Sequence, residues 1–222
     1  MKKNNFWLVT ALTAALLFIF LLISIKYSAR WLTNLDTIFQ KLITPEVKPT
    51  TTTYVNLIAN LGSPISDLFW TGILAYYIWL KERKPINACW LVITQLTGCA
   101  VVLLIKELSQ RPRPTDQIIK ESGFSFPSGH TFATAILVFA ILYLIVPRIQ
   151  DQEIQFVISL LSSGWLILIG FTRLYLRAHF FSDVFGSVLL ASCWWAIMRV
   201  CYSKFYRQIV NLAQSLTTHN SK

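Results

Sequence analysis

The run at 6–25, FWLVTALTAALLFIFLLISI, contains no charged residue over 20 positions. A helix of that length crosses the roughly 30 Å hydrocarbon core of a bilayer, and in lipid only a helix or a closed barrel satisfies its own backbone. Comparable runs recur at 85–105, 128–146, 154–171 and 181–200, and another ends at WLKERK after the break or start signal Gly62-Ser63-Pro64. Six spans are predicted, joined by short connections, which makes the chain an all-α polytopic membrane protein and residues 1–222 one membrane domain. With 55% of residues hydrophobic and 14% charged, no separate soluble domain fits into 222 residues.

The first run follows MKKNN, which has the look of a signal-peptide start. It is longer than a usual signal core and no A-x-A site follows, so a retained anchor is expected. Beyond it, Tyr27, Trp31, Leu35, Ile38, Phe39 and Leu42 recur every three or four positions. That period predicts an amphipathic helix lying on the outer membrane surface. The KPTTTT stretch reads as a loop.

The formal charge is +10, but lysines and arginines occur in ones and twos beside apolar runs. No basic face with interleaved aromatics is present, which speaks against nucleic acid and for anionic lipid headgroups as partners. Cys89, Cys99, Cys193 and Cys201 lie in or at the ends of spans, show no C-x-x-C spacing and read as buried packing residues, so neither a disulfide frame nor a metal site is expected.

Six spans place both termini on one side of the membrane, and the loops on each side then carry ten lysines and arginines. The terminal side has Lys2, Lys3, Lys81, Arg83, Lys84, Arg148, Arg199, Lys204, Arg207 and Lys222. A raw count decides nothing. If Lys106, Arg113 and Arg173 have a task other than topology, the balance tips towards cytoplasmic termini.

Parity supplies such a task. The connection between spans three and four must lie on the same side as the connection between spans five and six. The first contains KELSQRPRP and FPSGH, the second TRLYLRAHFFSD. Together they hold Lys106, Arg111, Arg113, Ser128, Gly129, His130, Arg173, Arg177, His179 and Asp183. Several cations with two histidines and one carboxylate suit a phosphate site, because arginine forks grip phosphate oxygens and lysine adds a point charge. Ser128-Gly129 opens a helix, whose first N–H groups favour an anion. His179 and Asp183 are four apart, so a carboxylate can fix the imidazole tautomer and leave the other nitrogen free to attack. His130 is then available as an acid.

Singly, each residue has an ordinary explanation. Lysine and arginine at span ends snorkel to headgroups, Arg-Pro marks a turn, Ser128 caps a helix, and an interfacial histidine is a hydrogen-bonded structural group. The convergence of all of them on one side favours a site. Arg111 and Arg177 remain headgroup or loop cations in this reading.

The three segments resemble the signature of the type 2 phosphatidic acid phosphatase family, K-x6-R-P, P-S-G-H and S-R-x5-H-x3-D. Lys106 with Arg113-Pro114 fits the first, Pro127-Ser128-Gly129-His130 the second, and Arg173, His179 and Asp183 the third, with Thr172 in place of serine. The signature covers residues 106–183. The resemblance implies a metal-independent phosphatase without cofactors, in which His179, oriented by Asp183, attacks phosphorus. It also implies that His130 protonates the leaving group, while Lys106, Arg113, Ser128, Gly129 and Arg173 hold the phosphoryl oxygens. The implied substrates are membrane lipid phosphates met at the extracytoplasmic face: phosphatidic acid, phosphatidylglycerol phosphate or undecaprenyl diphosphate. A transporter would carry charges at mid-span, whereas Gln95 and Ser162-Ser163 are the most polar features there. A non-catalytic lipid-binding relative would be free to lose His130, His179 and Asp183.

Overall fold

The computed structural model describes residues 2–43, 47–83 and 85–219, with backbone alone at 2–4 and 207–219. Lys84 and Lys222, counted above, lie outside the described residues, as do the side chains of Lys2, Lys3 and Arg207. Eight helices follow in order: α1 Lys2–Lys26, α2 Arg30–Ile43, α3 Pro49–Leu61, α4 Pro64–Glu82, α5 Pro85–Ser109, α6 Gly129–Ala140, α7 Gln152–Tyr175 and α8 Phe181–His219. After α6 the chain passes through a π turn at Ile141–Ile145 and a 3-10 turn at Val146–Arg148. No strand occurs among the described residues.

Five of the helices are long and apolar enough to cross a membrane: α1, α5, α6 with its following turns, α7 and α8. The sixth expected span, α4, does not reach that mark, since Asp67, Lys81 and Glu82 and four Trp or Tyr residues lower its hydropathy. Gly62-Ser63-Pro64 starts it rather than breaking it. The Ser63 side chain accepts the Ser66 N–H at 3.2 Å, and Pro64 occupies the first turn, where a missing N–H costs nothing.

The central helix is α6, the most buried of the spans, with α4, α5, α7 and α8 packed around it. α1 lies along α8. Phe126 is fully buried between them, stacked on Phe18 at 5.4 Å. An added Cβ at Gly186 of α8 would come within 2.5 Å of its ring, so glycine there lets Phe126 seat. That anchor fixes the Pro127–His130 turn. Outer faces of the spans stay apolar and uncovered by protein, as Leu12, Leu16, Leu161 and Ile167 show; lipid tails are their solvent.

Three expectations need correction. Of the four cysteines, Cys193 is buried and Cys99 half-buried, but Cys89 and Cys201 are exposed on the outer faces of their helices rather than packed inside. KPTTTT is not a loop: Thr51, Thr52 and Thr53 lie in α3. Pro49 opens that helix, and the hydroxyls of Thr52 and Thr53 donate back to the carbonyls of Lys48 and Pro49 at 2.9 and 3.2 Å. Val55 and Ala59 bury one face against Tyr175, Leu176 and Ala178, so tertiary packing overrides the turn-like composition. The last helix also runs well past the expected end at 200, because 201–219 continues it as a more polar extension.

The amphipathic segment forms α2. Trp31, Ile38 and Leu42 stay exposed, as suits a helix lying among headgroups, while Leu32 and Asp36 turn inward.

Candidate active site

The two connections that parity places on one side do meet. The 110–128 segment is pinned from several directions. Ser109 Oγ donates to the Phe126 carbonyl at 2.9 Å, Ser125 N to that of Arg111 at 2.8 Å, and Lys106 Nζ to that of Phe124 at 2.6 Å. Ile118 N donates across to Leu176 O at 3.1 Å, tying this segment to the turn after α7. In that turn the N–H groups of Ala178 and His179 fold back on the Arg173 carbonyl at 3.1 and 3.3 Å. His179 is thereby held beside Arg173.

Arg113 is the hub. Its Nη1 donates to the Ala178 carbonyl at 2.8 Å and to Glu121 Oε2 at 2.9 Å, and lies 3.3 Å from His179 Nε2. A guanidinium has no acceptor, so a lone pair on Nε2 with the proton on Nδ1 is the tautomer that avoids setting two donors face to face. Nδ1 faces Asp183 Oδ2 at 3.5 Å, longer than a formed hydrogen bond, and has no other partner. The tautomer is the one a nucleophile needs, and the contact with Asp183 has room to shorten as positive charge grows on the ring. Burial pushes the His179 imidazole down to about 4, against the pull of Asp183, so the ring is neutral at pH 7.

Arg173 is 1% exposed, paired with Glu121, and its Nε has no hydrogen-bond partner among the described residues. An orphan buried donor needs an acceptor, and a phosphoryl oxygen supplies one. Lys106 stands within electrostatic reach of Arg113, Arg173, Glu121 and Asp183. His130, half-buried at the start of α6, is in reach of Arg173, Glu121, His179 and Arg113. Ser128 is fully buried and caps α6, its Oγ accepting from Thr131 N at 3.4 Å and from the Thr131 hydroxyl at 3.1 Å. An added Cβ at Gly129 would meet only Pro64, at 3.7 Å. The protein's own packing therefore does not demand glycine there.

Two positions at the candidate site, Glu121 and Arg111, were not recognised in the sequence. Glu121 bridges Arg113 and Arg173, taking one guanidinium nitrogen of each. Burial alone would raise its pKa, but Arg173, then His179 and Arg113, outweigh that and hold the carboxyl below the usual range. Arg111, read above as a headgroup or loop cation, is instead a half-buried bridge between Asp36 and Asp183 at 2.7 and 2.5 Å. Arg177 does behave as a loop cation, paired with Asp116.

The sequence profile of the PAP2 superfamily matches residues 87–207, more than half of the chain and all of this site except α2. The chain belongs to the PAP2 superfamily. It is 27% identical over 140 residues to phosphatidylglycerophosphatase B of Bacillus subtilis (strain 168), covering 60% of this chain and 66% of that relative's length. The PAP2 fold is also seen in solved structures. The transmembrane PAP2-type phosphatidylglycerolphosphate phosphatase from Bacillus subtilis superposes with a TM-score of 0.78 at 22% identity, over 88% of this chain and 96% of that one. Aquifex aeolicus LpxE gives 0.55 at 22% identity, over 74% and 92%.

Because Glu121 holds one nitrogen each of Arg113 and Arg173, a phosphate analogue bound by those same nitrogens would have to displace it. Glu121→Gln removes the competing charge and is expected to tighten orthovanadate binding several-fold at pH 7, read as a lower inhibition constant. Unchanged or weaker binding would mean that the carboxylate holds the cradle in shape rather than competing for it.

Proposed function

We propose that this PAP2 protein is an integral membrane lipid phosphatase that hydrolyses a phosphomonoester or diphosphate of a membrane lipid through a phosphohistidine. The observation that carries the reading is buried His179 with its Nε2 3.3 Å from Arg113 Nη1, in a cluster that also holds Arg173 and Lys106. Phosphoryl transfer calls for in-line positioning and charge stabilisation. Nε2 attacks phosphorus, the bond from phosphorus to the lipid oxygen breaks, and the departing oxygen takes a proton from His130. His130 in turn deprotonates a water that cleaves the P–N bond, releasing inorganic phosphate and restoring His179. The cations, with the N–H groups at Ser128-Gly129, bear the equatorial oxygens. No step calls for a metal or cofactor.

An apolar groove of about 630 Å³ between α4, α6 and α7 is lined by Leu61, Trp70, Tyr77, Leu137, Ile141 and Trp165. Its size and polarity suit an acyl or prenyl chain, while α2 and the 110–128 segment take the headgroup side. Phosphatidylglycerol phosphate is the first substrate to try, given the Bacillus subtilis relative, ahead of phosphatidic acid and undecaprenyl diphosphate. Both termini are placed in the cytoplasm and the site on the extracytoplasmic face, from the loop-charge balance.

The test is phosphate release from these three lipids by purified protein in EDTA, repeated in sealed vesicles of known orientation. Release in EDTA from one lipid well above the others, blocked by external vanadate in right-side-out vesicles, is the expected result. Loss of activity in EDTA would contradict the metal-free chemistry, and inhibition only from the inside would reverse the sidedness.

A further inference from the structure

The helix that lies on the membrane surface reaches into the site through one residue. Asp36, at mid-α2, is 4% exposed. Its carboxylate accepts from Ser182 N at 2.9 Å, Ser182 Oγ at 2.8 Å and Arg111 Nη2 at 2.7 Å. The other arm of the guanidinium, Nη1, donates to Ser182 Oγ at 2.7 Å and to Asp183 Oδ1 at 2.5 Å. The Arg111 plane rests over the Phe180 ring at 4.3 Å, and Phe39 of α2 stacks on Phe181 at 3.7 Å. Asp183 uses Oδ2 to accept Phe180 N at 2.9 Å and to face His179 Nδ1. Arg111, Ser182 and Phe181 are thus held directly by α2, and Asp183 through Arg111.

The ordinary reading is a buried ion pair that clamps a helix. Charge argues for more. Arg111 alone on Asp183 would cancel the negative charge that has to support a positive imidazole during attack. Asp36 cancels Arg111 instead, so the Asp36–Arg111–Asp183 unit keeps one net negative charge beside Nδ1. A clamp could be built on any residues of the 180–183 turn; this one is built on the carboxylate that orients the nucleophile.

We propose that Asp36 and Arg111 are positioning residues for the His179–Asp183 pair, which makes the interfacial helix α2 a working part of the catalytic centre. The proposal rests on the phosphohistidine reading above. Neither residue touches the phosphate cradle, so binding and turnover are affected differently.

Asp36→Asn keeps the shape and removes the charge. The expected result is a fall in kcat of about 10- to 100-fold, the range for groups that orient a working side chain from behind, with KM and vanadate binding unchanged. The acid limb of the kcat/KM profile moves to lower pH, because a less negative surrounding disfavours the protonated ring. The other charged groups facing His179 are Asp183 on α8, Arg113 and Glu121 in the 110–128 segment, Arg173 on α7 and His130 on α6; all are left intact. Arg111→Gln shifts the limb the opposite way, and the Asp36→Asn/Arg111→Gln double variant, which restores one net negative charge, returns it to the wild-type position.

A purely structural clamp would lower thermal stability and active fraction without moving the limb, and the double variant would be worse than either single one. That pattern, or Asp36→Asn with wild-type kcat and pH profile, overturns the proposal. If Asp36→Asn fails to bind vanadate and so has not folded, the double variant decides by the position of its limb. Absence of phosphate release by the wild-type protein would remove the phosphatase reading itself; wild-type turnover with an indifferent Asp36→Asn removes the positioning role alone.

Discussion

His179→Ala is expected to lower phosphate release by about four orders of magnitude or more, since loss of a nucleophile removes the covalent route and leaves only binding and electrostatics. The cations are not disturbed, so vanadate or substrate should still bind. The burial that holds the imidazole near pKa 4 also sets the pH dependence. The neutral ring is the active form, so the nucleophile stays competent from pH 7 down to about 5 and is lost as pH falls through about 4. An acid limb near pH 6.5, the value of an unperturbed histidine, would place the titrating group elsewhere. Near-normal turnover in the alanine variant would remove His179 from the chemistry.

His130→Ala is expected to cost on the order of 10² to 10⁴ in kcat for a lipid alcohol leaving group. The cause is specific: an alkoxide leaves poorly without a proton, and water attacks poorly without a base. The same variant tested with an aryl phosphate, whose leaving group needs no proton, should show a burst of phenolate followed by slow turnover, because only the second step then lacks its catalyst. An equal deficit for both substrates, with no burst, would assign His130 to binding rather than to proton transfer.

The spans were legible because each is a continuous apolar run, and in lipid that leaves the chain a single helical solution. α4 was harder, since its aromatic and charged residues dilute the signal, and α3 was missed because four consecutive threonines look like a loop until Val55 and Ala59 find Tyr175 to pack on. The eight signature residues were legible through the family's motif spacing, the four-residue step from His179 to Asp183, and the parity of the spans to bring the halves together. Glu121, Arg111 and Asp36 carry no such signal. Asp36 and Ser182 are 146 positions apart, so their pairing is fixed by tertiary structure alone. RPRP contains two arginines of equal appearance, and only the fold shows that Arg113 turns towards Nε2 of His179 while Arg111 turns behind it towards Asp183.

The central claim is the covalent phosphohistidine, and the most direct measurement is to trap it. The His130→Ala protein is mixed with a radiolabelled aryl phosphate, whose leaving group needs no proton so that the intermediate forms faster than it breaks down, then quenched in alkali and digested for peptide mapping. The account predicts label on the peptide containing His179, stable to alkali, released by acid, and absent from the His130→Ala/His179→Ala protein. Steady turnover by this variant with no label on the protein at any time, or label on a different residue, would contradict it.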